Sequence, residues 1–178
     1  MILLDNIRKL VLARRNALSR EEIEEKSKKI CEKIQPYLHG NVAAYNAIDS
    51  EADLGYLSLK EVQLCLPVCT KTDMTFHIVD QYTKYQQSHY GILEPVNAEI
   101  IDGKDIDVFL VPMVAFDERC NRMGHGKGYY DRYLALTRGL KIGVAFECQK
   151  DILQLHAYDI AMDIVITEEN IYKKATVE

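Results

Sequence analysis

Long hydrophobic stretches, a basic excess and paired cysteines are all missing from this sequence, and each absence removes a class of function. No apolar run approaches the roughly 20 residues that a membrane-spanning helix needs. The opening Met1-Ile2-Leu3-Leu4 is too short for the core of a signal peptide, so the chain reads as cytoplasmic. A formal net charge of -5 argues against nucleic acid as the main partner, because phosphate backbones demand basic stripes. A small phosphate ligand is not excluded; it needs only a local cluster of cations. Five cysteines (Cys31, Cys65, Cys69, Cys120, Cys148) contain no Cys-x-x-Cys pair and read as buried, reduced thiols rather than a zinc site. The histidines His39, His77, His89, His125 and His156 show no metal-ligand spacing, and there is no internal repeat or low-complexity segment.

What remains is an ordinary composition over 178 residues, 48% hydrophobic and 28% charged, which suits one domain (1–178) with a core of its own. Residues 5–18 carry Ile7, Leu10, Val11, Ala17 and Leu18 at helical spacing. Arg8 and Arg15 share a neighbouring face, a solvated basic pair on the plain reading and a ligand site on the other. Ser19-Arg20-Glu21-Glu22 is a capping box, and Ile23, Ser27, Ile30, Ile34 and Leu38 continue as the buried stripe of a second helix ended by Pro36 and Gly40.

Val42–Tyr45 reads as a short strand, and 46–53 as a polar loop before a helix-like segment, Leu54 to Lys60. Glu51 is then either a helix-start charge or a carboxylate at the C-terminal end of a strand, where open α/β sheets bind ligands. Residues 62–68 and 74–79 read as adjacent strands joined by a polar turn. From Asp80 to Asp105 periodicity is lost amid Tyr82, Tyr85 and Tyr90, which suggests a functional lid. Strands follow at 108–116, 140–146 and 163–167, with a short helix or turn at 151–156 and a terminal helix over 168–174. Continuously apolar strands alternating with helices predict an α/β fold, a three-layer sandwich with a mostly parallel sheet covered on both faces.

One stretch carries chemistry: Arg122-Met123-Gly124-His125-Gly126-Lys127-Gly128-Tyr129-Tyr130-Asp131. It links an apolar strand to a helix start, and backbone N–H groups in such a turn point at anions. Three glycines at these offsets occur by chance in roughly one chain in twenty of this length, and the spacing fits neither the dinucleotide fingerprint nor the P-loop. Arg122 and Lys127 add two cations, however. Asp131 can hold magnesium against the same phosphates, since that ion takes one or two carboxylates and completes its shell with phosphate and water. Together these read as a nucleoside triphosphate site.

The same residues carry a family likeness. Leu110-Val111-Pro112 through Ala115-Phe116-Asp117, and then Asn121 through Leu134, closely resemble the signature of 5-formyltetrahydrofolate cyclo-ligases, also called 5,10-methenyltetrahydrofolate synthetases. Arg8, Arg14-x-x-Ala17-Leu18-Ser19, Glu51-Ala52-Asp53, Gly91-Ile92-Leu93-Glu94-Pro95, Phe146-Glu147-Cys148-Gln149 and Tyr158-Asp159 to Thr167-Glu168 match in order, so the resemblance covers nearly the whole chain.

The resemblance implies a sheet like that of the sugar-phosphate isomerase and CoA-transferase type. It also implies a Mg-ATP-dependent conversion of 5-formyltetrahydrofolate to 5,10-methenyltetrahydrofolate through a phosphorylated formyl group, with ADP and phosphate released. By position, Arg8 and the run Arg122, Met123, Gly124, His125, Gly126, Lys127, Gly128, Tyr129 and Tyr130 would wrap ATP, Arg122 and Lys127 being catalytic. His125 to Tyr129 would touch the formyl end, Arg8 both ligands, and Glu51 with Asn46 the pterin N–H edge. Asp131 and Asp163 would hold Mg2+.

The Lys usual in the family four residues before Arg8 is Leu4 here, with Lys9 nearby. Met113 and Cys120 stand where glycines are common, outside the phosphate turn, which implies altered loop packing rather than lost activity. The expected partners are small molecules, met by a monomer, with neither nucleic acid nor membrane involved. The alternatives are a sugar-phosphate isomerase or deaminase, which would need a general base and no ATP, and a non-catalytic folate or nucleotide binder.

Overall fold

The computed structural model describes residues 2–176. Helix α1 spans Ile2–Asn16 and α2 Arg20–Ile34. The capping box closes as the sequence requires: Glu22 N–H donates to Ser19 Oγ at 3.1 Å, and Ser19 N–H to Glu22 Oε2 at 2.7 Å. Two of the helix's free donors are thereby satisfied. Ser27, Ile30, Cys31 and Ile34 form its buried stripe, and a 3-10 turn at Gln35–Tyr37, carrying Pro36, ends it.

The strands are β1 (Asn41–Ala43), β2 (Gln63–Cys69), β3 (Met74–Ile78), β4 (Lys84–Gln87), β5 (Leu93–Val96), β6 (Ile100–Ile101), β7 (Val108–Pro112), β8 (Ala115–Phe116) and β9 (Arg122–Met123). Helix α3 (Tyr129–Leu134) precedes β10 (Leu140–Val144), β11 (Ile164–Ile166) and β12 (Ile171–Lys173). Eight of these strands form one sheet in the order β12-β11-β10-β7-β1-β2-β3-β6. The central five, β11, β10, β7, β1 and β2, run parallel, and the edges are antiparallel.

The run Val108-Phe109-Leu110-Val111 is apolar throughout because both faces of the sheet are covered. Val108 and Leu110 pack with Ile30 and Ile34 of α2, whereas Phe109 and Val111 pack with Leu134 and the tyrosines of α3. Helix α1 lies across the C-terminal ends of the parallel strands. It touches the loops that follow β1, β7 and β10, through Arg15 to Ser50 and Met113, and Arg14 to Lys150 and Asp151.

Three expected elements differ. No helix forms over 54–60: the Asp53 carboxylate takes the Gly55 N–H, and Gln35 clamps both backbone groups of Ser58, so local side-chain bonds replace helical ones. The stretch 80–105 is not an irregular lid but holds the β4–β5 hairpin and β6; all four residues of β4 are exposed, so no alternation marked it. The terminal helix expected over 168–174 is strand β12, turned by Thr167 Oγ1, which accepts from the Glu169 and Asn170 N–H groups. Among the described residues no helix is long and apolar enough to cross a membrane.

Both signature glycine replacements are explained. Cys120 sits at φ +65°, the left-handed region that glycine adopts freely. Met113 fills space above Gly143, where an added Cβ would come 2.7 Å from Met113 Sδ and 2.9 Å from Met162 Cγ. Gly143→Ala is therefore expected to destabilise the fold by about 1–3 kcal/mol through overpacking. Adding Met113→Ala should recover part of that loss. Urea denaturation of the single and double variants checks this, and a silent Gly143→Ala would contradict the packing.

Candidate active site

Strand β7 ends at Pro112, and the β8–β9 hairpin folds the chain back to Arg122 at the same edge of the sheet. The hairpin turn is built by Asp117, whose carboxylate accepts from the Arg119 and Asn121 N–H groups and from Asn121 Nδ2. The Arg122 side chain is 7% exposed and held in place. Its Nε donates to Pro112 O at 3.0 Å, and its guanidinium lies 5.1 Å from the centre of the Tyr130 ring. Nη1 stands 4.0 Å from Asp131 Oδ2. Burial weakens the Arg122 cation, while Asp131, then Tyr130, Asp159 and Glu51, favour it.

The turn that follows needs its glycines. Gly126 takes φ +99° and Gly128 φ +70°, conformations that side-chain-bearing residues rarely adopt. Because α3 has only six residues, its dipole adds little, and anion attraction rests on the turn's backbone and the cations around it. Arg8 reaches the turn from α1, with Nε donating to Gly124 O at 2.9 Å. Arg132 fixes it from below, donating to Lys127 O at 2.8 Å and Thr72 O at 3.0 Å. The exposed Lys127 ammonium lies 3.6 Å from the centre of the Tyr90 ring, at the tip of the β4–β5 hairpin. A cleft of about 680 Å³, within the range of small-molecule sites, opens beside the turn, lined by Lys127, Asp131, Arg132, Tyr158 and Ile160.

On the other side of the turn, His125 Nε2 stands 3.9 Å from Glu51 Oε1. Glu51 is only 8% exposed, and its Oε2 accepts the Ile48 N–H at 3.1 Å. No helix follows it, so it is not a helix-start charge; it lies in the loop that follows β1. Asn46, in the same loop, donates from Nδ2 to Leu93 O at 2.9 Å and ties that loop to β5.

A model of the 5-formyltetrahydrofolate cyclo-ligase family matches residues 4–168, nearly the whole chain. The chain belongs to that family. The 5-formyltetrahydrofolate cyclo-ligase of Mycoplasma genitalium is 33% identical over 174 residues, covering 91% of this chain and 96% of that protein. The solved structure of Aquifex aeolicus 5,10-methenyltetrahydrofolate synthetase superposes with a TM-score of 0.87 at 36% identity, over 99% of this chain and 96% of that one. The Mycoplasma pneumoniae 5,10-methenyltetrahydrofolate synthetase gives 0.77 at 26% identity, over 93% and 98%. Membership makes the chain a folate ligase and leaves the isomerase alternative without support.

Measured against the family's expected residues, the edge of the sheet brings together Arg8, Asn46, Glu51 and the run from Arg122 to Asp131. Asp163 is not among them. It precedes β11 at the opposite end of the strands, where its carboxylate accepts the Lys141 N–H at 2.9 Å. Lys141 pairs with Phe109, three residues before Pro112, so Asp163 lies roughly 10 Å of strand from where the loop departs. Leu4, at the usual Lys position, packs with Val11, Ala115 and Met123.

Arg15 is not on a solvated face. It is 3% exposed, donates from Nε to Ser50 Oγ at 2.9 Å and from Nη1 to Met113 O at 3.4 Å, and fixes the loop that carries Glu51. Neither of the two readings of the Arg8 and Arg15 pair, solvated face or ligand site, anticipates this buried anchoring role, and for Tyr90 the only signal is the tyrosine-rich 80–105 segment.

Proposed function

We propose that this cyclo-ligase uses ATP and Mg2+ to convert 5-formyltetrahydrofolate to 5,10-methenyltetrahydrofolate, releasing ADP and phosphate, as a cytoplasmic monomer that meets only small molecules. One observation carries the reading. A glycine turn flanked by Arg8, Arg122 and Lys127 faces a buried carboxylate, Glu51, across His125. Cations and backbone N–H groups suit phosphates, and a buried carboxylate suits the N–H edge of a pterin. The two ligands thus meet over residues 125–129, with Asn46 beside Glu51.

Asp131 fits a magnesium ligand. Its Oδ1 accepts the Ile160 N–H at 3.1 Å, while Oδ2, 4.0 Å from Arg122, lies beyond hydrogen-bond reach of that cation, and the residue lines the cleft. Asp163 does not fit, for its carboxylate is engaged elsewhere. The described residues hold no cluster of three or more potential metal ligands, which agrees with an ion held by one carboxylate, phosphate oxygens and water. Bound there, magnesium would neutralise phosphate charge.

Arg122 and Lys127 stabilise the charge that develops as the terminal phosphoryl group passes to the formyl oxygen. Glu51 and Asn46 hold the pterin so that the formyl group points at the turn, and the second folate nitrogen then attacks the activated carbon and displaces phosphate. Incubation with 5-formyltetrahydrofolate, MgATP and enzyme should give the methenyl product, followed by its near-ultraviolet absorbance, with one ADP per product. Folded protein that yields no product would overturn the reading.

A further inference from the structure

Two acids, Glu51 and Glu94, are buried among the described residues. Glu51 is placed by the chemistry above; Glu94 has no assigned role. It lies on β5 between Leu93, which is 54% exposed, and Pro95, and is itself 7% exposed. Its Oε1 accepts the N–H of Cys69 at 3.0 Å, the last residue of β2. The neighbouring Leu93 carbonyl accepts from Asn46, in the loop that follows β1. Glu94 thus stands at the C-terminal ends of two central parallel strands, the edge where such sheets bind ligands. Its second oxygen has no donor among the described residues. No fully buried polar side-chain atom there goes without a partner, so this oxygen is not wholly sealed from solvent.

The surroundings point the same way. Cys69 neighbours both Glu94 and Lys127: burial pushes its thiol up to about 11, with Glu94 adding to the rise and Lys127 opposing it. On the far side, Tyr90 covers Lys127, and Tyr129 donates to Thr70 O at 2.7 Å. A carboxylate with one oxygen pinned and the other not wholly sealed therefore borders the turn where the formyl group would be activated.

We propose that Glu94 is the general base of the ring closure. The proposal rests on the cyclo-ligase reading and completes its proton balance. When the second folate nitrogen donates its lone pair to the phosphorylated formyl carbon, a carbon–nitrogen bond forms and that nitrogen becomes cationic while still bearing its hydrogen. Glu94 takes this proton, and the carbon–oxygen bond then breaks with its electron pair leaving on phosphate. The protonated acid returns its proton to solvent. On the same reading Glu51 serves the pterin edge and Asp131 the metal, each with one oxygen held by a backbone N–H, which leaves Glu94 as the buried carboxylate without another task.

Glu94→Gln tests this cleanly, because the amide carbonyl keeps the Cys69 acceptor and only the base is lost. The expected result is an about 100-fold fall in kcat for methenyl formation with KM changed by no more than about threefold. Folate-dependent positional isotope exchange in ATP, which reports reversible phosphoryl transfer without ring closure, should persist within about threefold of wild type. Glu94→Ala should regain turnover with added acetate or formate.

Ring closure by Glu94→Gln near the wild-type rate, an equal loss of exchange and closure, or a raised KM at normal kcat would each overturn the assignment. If Glu94→Gln does not fold, Glu94→Asp carries the same comparison: closure reduced more than exchange supports the base, and equal reduction refutes it. Wild-type enzyme that forms no methenyl product would refute instead the reading on which the proposal rests.

Discussion

Lys127→Ala is expected to lower kcat/KM by about 10³-fold, roughly 4 kcal/mol of transition-state stabilisation, while leaving the melting temperature nearly unchanged. The two halves of that expectation have different physical origins. In the free protein, Lys127 is exposed and its ammonium lies 3.6 Å from the centre of the Tyr90 ring. An exposed cation–π contact contributes about 0.5–1 kcal/mol, so folding loses little when the side chain is cut back. On the proposed reading, phosphates in the turn would make the same ammonium a charge-assisted donor, flanked on one side by Tyr90 at the tip of the β4–β5 hairpin.

If the proposed phosphoryl transfer takes place there, that ammonium would meet the developing charge, so the loss should fall on kcat as well as on KM for ATP. Tyr90→Phe, which keeps the ring face, should stay within about threefold of wild type. Steady-state kinetics with each substrate varied, together with thermal melts, check the set. A Lys127→Ala enzyme within tenfold of wild type would remove Lys127 from the phosphate site.

The fold is most legible in the sequence where local chemistry and tertiary packing agree. The capping box at Ser19 and the doubly buried runs of β7 and β10 follow from bonds and periods that only a few neighbouring residues settle. The glycine turn was legible for the same reason, since its positive-φ positions and flanking cations are contiguous. Residues whose roles depend on distant partners were not legible. Arg15 reads as a surface charge on helical spacing, yet Ser50 and the Met113 carbonyl, 35 and 98 positions away in sequence, enclose it.

Glu94 sits in a motif that can be recognised but gives no hint that Cys69 takes one of its oxygens. Strand β4 carries no apolar alternation because both its faces meet solvent, and only its pairing with β5 makes it a strand. Asp163 shows the converse. Its place in a matching motif suggested a magnesium ligand, whereas the direction of β11 puts it at the far end of the sheet. Sequence position fixes neighbours along the chain; strand direction decides which end of the sheet they reach.

Asp131→Asn should isolate charge from structure at the metal position. Asparagine retains an oxygen to accept the Ile160 N–H, now held at 3.1 Å by Oδ1, so the 157–160 loop and the cleft wall stay in place. What disappears is the negative charge 4.0 Å from Arg122 and, with it, one carboxylate oxygen. Magnesium coordinates carboxylates far better than amides at such sites. The Mg2+ concentration for half-maximal rate is therefore expected to rise about tenfold or more, and kcat/KM to fall about 100-fold, near 2.7 kcal/mol.

Arg122 loses its nearest counter-charge at the same time, which leaves a buried cation more exposed to the penalty of desolvation and makes it a stronger phosphate ligand. Two effects thus oppose each other: weaker metal binding and stronger anion binding. They separate in a titration, because only the first is relieved by raising Mg2+. Partial recovery of rate at high Mg2+ together with an unchanged or lowered dissociation constant for metal-free ATP would support Asp131 as the metal carboxylate. A Mg2+ dependence identical to wild type would place the ion on other residues.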